Sequence, residues 1–278
     1  MRFASVFLAF FLISPLRAGT SITVKGSDTM VILNQRWAEA YMKTHPGVVV
    51  QVTGGGSGTG ISALISGSTD ICAASRPIKQ EEAEALKEHA GGVALETAVA
   101  KDGVAVYLNQ ANPVDTLSMD QLRSFYVGKE AHWSSVGGKD ERVILYSREN
   151  NSGTYVFFKE HVLKHDDFSD FALTLPGTAG VVNAISRDPR GVGYGGSSSK
   201  TRGVKVCAVS AAPGGAAYLP TEDNILSGRY PVSRDLFYYT RAGAPQAVQD
   251  FIDWILGPEG QAVVQAAGYF PVAKKAAR

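Results

Sequence analysis

The chain has 278 residues, 45% of them apolar and 19% charged, with a formal net charge of +1. That length buries a full core and suits two domains or lobes. The near-neutral balance, without a basic patch interleaved with aromatics, gives no electrostatic footprint for nucleic acid as a partner.

The opening reads as a secretory signal over residues 1–18: Arg2 precedes the apolar run Phe3 to Ile13, and Ser14-Pro15-Leu16-Arg17-Ala18 leads to a cut expected after Ala18. The run is too short for a comfortable membrane span, and no later segment qualifies. The leader lacks a cysteine, so a lipid anchor is not expected. Cys72 and Cys207, the only two thiols, lie in the apolar strand-like runs Asp70 to Ala74 and Val204 to Val209. Both read as buried free thiols rather than a bridge.

From Ser21 onward the pattern repeats a unit of strand, polar turn and helix. Ile22 to Val24 is a strand, Gly26-Ser27-Asp28-Thr29 a turn rich in N-cap residues, and Val31 to Lys43 a helix with Leu33, Trp37 and Tyr41 at helical spacing. Val48 to Val52 then leads through Gly54-Gly55-Gly56-Ser57-Gly58-Thr59-Gly60 to a helix expected over Ile61 to Ser66. Such a run lets the backbone wrap an anion at a helix N-terminus. It is not a nucleotide loop, because Ile61 stands where the ATPase loop needs Lys and the dinucleotide spacing is absent. Asp70 to Ala74 leads through Ser75-Arg76-Pro77 to a surface helix, Gln80 to His89. Units of this kind imply an α/β fold with a parallel sheet, whose turns lie outside the carboxyl ends of the strands, where open α/β sheets bind ligands.

Val93 to Ala100 and Val104 to Leu108 read as a strand pair around Lys101-Asp102-Gly103, placed to run between lobes. Met119 to Tyr126 is a short helix. Val143 to Tyr146 is a strand that meets a fourth turn, Ser147-Arg148-Glu149-Asn150-Asn151-Ser152-Gly153-Thr154, before a helix from Tyr155 to Leu163. Gly191 to Gly196 is a short strand, Tyr230 to Thr240 a long one returning to the first lobe, and Pro245 to Leu256 and Glu259 to Ala267 are helices. Two crossings describe a bilobal molecule with a two-strand hinge and a ligand cleft, lobe 1 comprising residues 19–100 and 241–278 and lobe 2 residues 101–240.

Four turns thus place hydroxyls before helices, Ser27 and Thr29, Ser57 and Thr59, Ser75, and Ser152 and Thr154, two of them with an arginine, Arg76 or Arg148. Any one hydroxyl is explained by helix capping. Together, hydroxyls, helix N-termini and guanidinium groups aimed at one cleft make a donor-rich cavity suited to a small tetrahedral oxyanion. Charged hydrogen bonds contribute roughly 1.5 to 3 kcal/mol each, and micromolar binding needs about 8 kcal/mol, so a handful suffice without metal or cofactor.

Gly26-Ser27-Asp28-Thr29-Met30, Gly54 to Gly60 with Ile61, Ala74-Ser75-Arg76-Pro77-Ile78, and Ser147 to Thr154 together resemble the periplasmic phosphate-binding proteins of Pst ABC importers. The resemblance spans nearly the whole mature chain, including Tyr230 to Thr240 and Trp254-Ile255-Leu256-Gly257-Pro258-Glu259-Gly260-Gln261. It implies a class II periplasmic binding-protein fold, phosphate as ligand, permease subunits as membrane partners, and a monomer in the periplasm. By position it assigns ligand contacts to Thr29, Met30, Ser57 with Gly58, Arg148, Ser152, Gly153 and Thr154, beside Ser27, Asp28, Ser75 and Arg76.

One position departs. Some family members carry an Asp after the third-loop Ser, able to accept the proton that phosphate carries and sulfate lacks; here it is Arg76. Asp28 is the nearest replacement by sequence, either as proton acceptor or as an acidic residue favoured at a helix N-terminus. Arg76 either binds the anion or anchors a neighbouring carboxylate. Sulfate and molybdate therefore stay open as ligands. A hydrolase is disfavoured because Ser57 lacks the nucleophile-elbow spacing and His161 and His165 lack the Glu of H-E-x-x-H, leaving a phosphatase as a distant alternative.

Overall fold

The computed structural model describes residues 19–90, 95–199 and 201–272, so the signal-like segment at residues 1–18 lies outside the described residues. Among those described, no helix is long and apolar enough to cross a membrane.

The chain opens with the expected repeats: β1 (Thr20–Gly26), a 3-10 turn over Asp28–Met30, α1 (Val31–Thr44), β2 (Val48–Thr53), α2 (Ser57–Ile65), β3 (Ile71–Ala74) and α3 (Gln80–Ala90). α2 begins at Ser57 rather than Ile61. The later glycines form its first turn, and Gly56, at φ 89°, supplies the sharp entry. A Cβ at Gly56 would lie 2.7 Å from the Asn151 carbonyl oxygen, so the position also admits a second loop closely.

β4 (Leu95–Asn109) is one strand, not the expected pair broken at Lys101-Asp102-Gly103. Its first half pairs with a late strand and its second half with two others, so the ladder is continuous and the buried charge of Asp102 is met across it. There follow β5 (Thr116–Ser118), α4 (Met119–Tyr126), β6 (Ile144–Arg148), α5 (Gly153–His161), β7 (Leu173–Leu175), α6 (Gly177–Arg187), β8 (Gly191–Gly196), β9 (Val204–Ser210), β10 (Ala217–Tyr218) and α7 (Glu222–Leu226). β11 (Ser233–Thr240), α8 (Gln246–Leu256) and α9 (Pro258–Ala266) come last. α4 starts on a capping box in which Ser118 and Gln121 satisfy one another's backbone N–H groups. α5 starts at Gly153 rather than Tyr155 because the Ser152 hydroxyl accepts from the Thr154 and Tyr155 amides.

The strand order is β2-β1-β3-β11-β4-β8-β6-β7, with β9 also on β4 and carrying β5 and β10. β1, β2 and β3 are mutually parallel, as are β6, β7 and β8, as the repeating units require. The crossing strands are the exception: β11 lies antiparallel between β3 and β4, and β4 is antiparallel to β8 and β9. The fold is α/β with one curled, mixed sheet, two main cores and two smaller apolar clusters among the described residues, the two-lobed plan expected.

One core gathers Ile22, Leu33, Trp37, Tyr41, Leu236, Tyr238, Phe251 and Ile255 from β1, α1, β11 and α8. The other gathers Val106, Leu122, Phe125, Trp133, Phe158 and Tyr194 from β4 to β8. Cys72 and Cys207 are separate buried thiols in different clusters. Burial in apolar surroundings pushes both upward, Cys207 to about 12.

Candidate functional site

The turns that leave β1, β2, β3 and β6 at their carboxyl ends converge between the two cores. Ser27 donates to the Ser75 hydroxyl at 2.9 Å. The Ser57 hydroxyl accepts the Ser75 amide at 3.1 Å and lies 3.4 Å from the Ser75 Oγ. All three serines are buried, so this is a cluster of hydroxyls withdrawn from bulk water. Gly153, from the other side of the cleft, sits directly on it, because a Cβ there would overlap the Ser57 hydroxyl and lie 2.6 Å from that of Ser75.

The hydroxyls of Thr29 and Thr154 meet at 2.9 Å, joining the first and fourth turns. Beside them the Gly58 amide donates to the Asn151 carbonyl at 3.0 Å, and the Asn151 side chain donates to the Gly55 carbonyl and the Thr59 hydroxyl. The first turns of α2 and α5 therefore face one another. Two helix N-termini bring two positive dipole ends together, an arrangement that favours negative charge between them.

Arg148 is 1% exposed, and each of its three guanidinium nitrogens has one partner, which leaves a second N–H on Nη1 and on Nη2. Nη2 donates to the Asp28 carboxylate at 3.1 Å, Nη1 to the Thr178 hydroxyl at 3.1 Å, and Nε to Glu149 at 3.2 Å. The other Asp28 oxygen accepts the Gly55 amide at 2.8 Å. Asp28 thus ties the first turn to the glycine run and to the arginine across the cleft, while its side chain keeps 25% exposure. Each carboxylate oxygen has a second lone pair, so the group retains acceptor capacity.

Ser27, Asp28, Thr29, Ser57, Gly58, Ser75, Arg148, Ser152, Gly153 and Thr154 come together in this way. Two residues of the expected set do not. Met30 is wholly buried in the first core, and its amide is spent on the Ser27 carbonyl at 3.0 Å. Arg76 turns away toward α3, its Nη2 2.6 Å and its Nη1 2.8 Å from the two oxygens of Glu82, with Nη1 also donating to the Pro77 carbonyl. Of the two roles open to Arg76, the carboxylate anchor is the one observed, and a fork committed to a bidentate partner has no reason to swing into the cleft. Burial pushes the Glu82 carboxyl up, but hydrogen bonds from Arg76 and the Lys79 amide outweigh this and hold it below its usual value.

Four residues escaped the sequence reading: Asn151, Thr178, Asp102 and Arg234. Arg234 in β11 faces Asp102 in β4 in direct register. Both are buried, and the guanidinium donates to one Asp102 oxygen from Nε at 3.1 Å and from Nη2 at 2.8 Å. At Asp102 and Arg234 the available signal was an opposite pair of charges within two strand-like runs; Asn151 and Thr178 carried none beyond their place before a helix. His161 and His165 form no site: the His161 Nε2 lies 2.9 Å from the Pro231 carbonyl, and His165 follows the helix at φ 70°.

The site is rich in hydroxyl, amide and guanidinium donors, with Asp28 as the carboxylate at its edge. Such a set binds a small oxyanion by hydrogen bonds and dipoles.

Comparison with known proteins agrees with this chemistry. A family model described as a PBP superfamily domain matches residues 14–259. The phosphate-binding protein PstS of Pseudomonas aeruginosa is 33% identical over 269 residues, covering 91% of this chain and 83% of its own length. PstS of Staphylococcus saprophyticus is also 33% identical, over 90% of this chain and 80% of its own. Among solved structures, one with bound phosphate, attributed to a phosphate ABC transporter of Clostridium perfringens as its substrate-binding protein, has a TM-score of 0.83 at 28% identity, covering 91% of this chain and 100% of that one. An ABC-type phosphate transport receptor from Vibrio cholerae reaches a TM-score of 0.74 at 28% identity, covering 90% of this chain and 100% of that one. By domain match, by identity over nearly its whole length and by fold, the chain belongs to the PBP superfamily and, within it, to the PstS family of phosphate-binding proteins.

Proposed function

We propose that this protein is an exported, periplasmic and monomeric solute-binding protein that closes its two lobes, residues 19–100 with 241–278 and residues 101–240, on inorganic phosphate and delivers it to the permease subunits of an ABC importer. The role is capture and transfer, not catalysis. The phosphate-binding names of the PstS relatives and the bound phosphate in the Clostridium perfringens structure support the ligand.

The observation that carries phosphate over sulfate is the carboxylate of Asp28, set among donors and linked to Arg148 at 3.1 Å. At neutral pH phosphate carries at least one proton on oxygen and sulfate carries none. Hydroxyls and amides serve the bare oxygens of either anion, whereas an ionised carboxylate rewards a P–OH donor and repels an anion that has none. Asp28 thereby stands in for the acceptor that the Arg76 position lacks.

Calorimetric titration of the phosphate-stripped chain with phosphate, sulfate and molybdate at several pH values tests the reading. Micromolar or tighter binding of phosphate, with sulfate at least about a hundredfold weaker, is expected; a hundredfold is about 2.7 kcal/mol, within reach of one favourable and one repulsive contact. In Asp28→Asn that discrimination should shrink about tenfold or more, and an unchanged ratio removes Asp28 from the selectivity. Absence of phosphate binding at micromolar concentrations removes phosphate as the ligand.

A further inference from the structure

The guanidinium of Arg234 lies on the hinge side of the anion site and touches both lobes. It is anchored by the Asp102 oxygen that it meets twice, and the second Asp102 oxygen accepts the Ser197 amide at 3.2 Å. Nη1 donates to the Ser75 carbonyl at 2.9 Å. Nη2 reaches the Thr154 hydroxyl at 3.1 Å and the Thr29 hydroxyl at 3.4 Å. The Phe157 ring of α5 lies 5.4 Å from the guanidinium carbon, covering it from the second lobe. A purely structural ion pair needs only its carboxylate partner; this one also gives one Nη1 hydrogen to the Ser75 carbonyl and shares the second Nη2 hydrogen between the Thr154 and Thr29 hydroxyls.

The consequence lies in the direction of the hydroxyl hydrogens. A threonine hydroxyl has one hydrogen to give and two lone pairs, whereas arginine only donates. Thr29 and Thr154 therefore each present a lone pair to Arg234, and one of their two hydrogens is consumed in the 2.9 Å bond between them. One hydroxyl hydrogen remains, on the residue that accepts in that bond, and one lone pair, on the residue that donates in it. Without the guanidinium, three lone pairs instead of one are open and both hydroxyls are free to turn, so that acceptance competes with donation toward the ligand.

We propose that Arg234, held by Asp102 in the hinge, is a positioning residue that sets ligand specificity by fixing the Thr29 and Thr154 hydroxyl pair as a hydrogen-bond donor toward the bound oxyanion. With a single neutral lone pair left at this face, the protonated oxygen of phosphate is directed to the stronger acceptor, the Asp28 carboxylate. This inference rests on the phosphate reading above.

A thermodynamic cycle on ligand affinity tests it. Arg234→Gln alone leaves Asp102 buried and unpaired, which threatens folding, so both charges are removed together in Asp102→Asn with Arg234→Gln. Wild type, this double variant, Thr154→Val and the triple variant are stripped of phosphate, checked for folding by circular dichroism, and titrated with inorganic phosphate. The double variant is expected to bind at least about tenfold more weakly, equivalent to about 1.4 kcal/mol. Thr154→Val should cost at least about tenfold in the wild-type background and clearly less in the double variant, because the two changes act through one hydroxyl. Losses that multiply, or a double variant within about threefold of wild type, overturn the proposal. Should the double variant not fold, Arg234→Lys, which keeps a cation opposite Asp102 but loses the fork, goes through the same cycle with the same thresholds. Failure of the wild type to bind phosphate is a separate result that removes the ligand assignment; the cycle is then read with the oxyanion that binds.

Discussion

Gly153 and Ser57 approach from opposite sides of the cleft so closely that a single methyl group on the glycine would overlap the serine hydroxyl. The Ser57 hydroxyl cannot simply rotate away, because it accepts the Ser75 amide. In Gly153→Ala the loops are forced apart and phosphate affinity should fall at least about tenfold. Stability without ligand should fall less than affinity, since the buried Ser57 and Ser75 hydroxyls must shift while alanine at the first residue of α5 returns up to about 1 kcal/mol of helix preference. Titration and thermal unfolding of the same preparation separate the two effects; tight binding by the variant would contradict the close approach.

Arg148 holds three partners, Asp28, Thr178 and Glu149, from one planar group. Lysine keeps the charge but offers a point cation on a flexible stem, unable to span Asp28 and Thr178 together. Arg148→Lys should therefore weaken phosphate binding by about tenfold or more, equivalent to about 1.4 kcal/mol, although the net charge is unchanged. Equal affinity would reduce the role of Arg148 to bulk electrostatics.

Arg76 and Glu82 form a pair whose loss should appear in stability rather than in binding. Arg76→Gln is expected to leave phosphate affinity within about threefold and to lower the stability of the lobe that contains α3 by about 1 to 3 kcal/mol, the cost of leaving a partly buried charged partner unsatisfied. The carboxyl of Glu82 is held below its usual 4.5 in the folded protein. Its contribution is accordingly complete above that value and is lost as pH falls through the lowered one. Urea unfolding between about pH 3 and 7 should show a smaller acid loss in Arg76→Gln than in wild type.

Both thiols should be silent in the folded protein. Cys72 and Cys207 are buried, and burial pushes Cys207 to about 12, so the reactive thiolate is scarce at neutral pH. A chromogenic disulfide reagent should react with neither in buffer and with both in concentrated guanidinium. Reaction of one equivalent with native protein would show local opening of that strand.

The parts legible in the sequence share one property: their signal is local. Strand, polar turn and helix succeed one another within a few residues around Ser27, Ser57, Ser75 and Ser152, and all four turns meet in space. Helix starts were shifted where glycine carries two meanings. Gly58 and Gly60 belong to the first turn of α2, yet a glycine-rich segment reads as loop. The same ambiguity hid α6, whose Gly177-Thr178-Ala179-Gly180 start follows Pro176, and with it the Thr178 hydroxyl beside Arg148. The two roles of Arg76 stayed open because either carboxylate or anion suits a guanidinium, and only the placement of Glu82 on the next helix decides between them. Asp102 and Arg234, 132 residues apart, become partners only once β11 is inserted beside β4, and no local pattern announces a pairing of that kind.

The place of β11 in the strand order has a consequence for how the protein is made. Among the described residues it is the last strand, yet it sits in the middle of the sheet, between β3 and β4. Until residues 233–240 have emerged, β3 presents an unpaired edge and the first core lacks Leu236 and Tyr238. The first core is therefore completed only by a late segment, and the long-range closure of β11 onto β3 and β4 is the slow event. For the exported protein proposed above, a first core that stays open until its last strand arrives suits passage through a narrow translocation pore before folding on the far side.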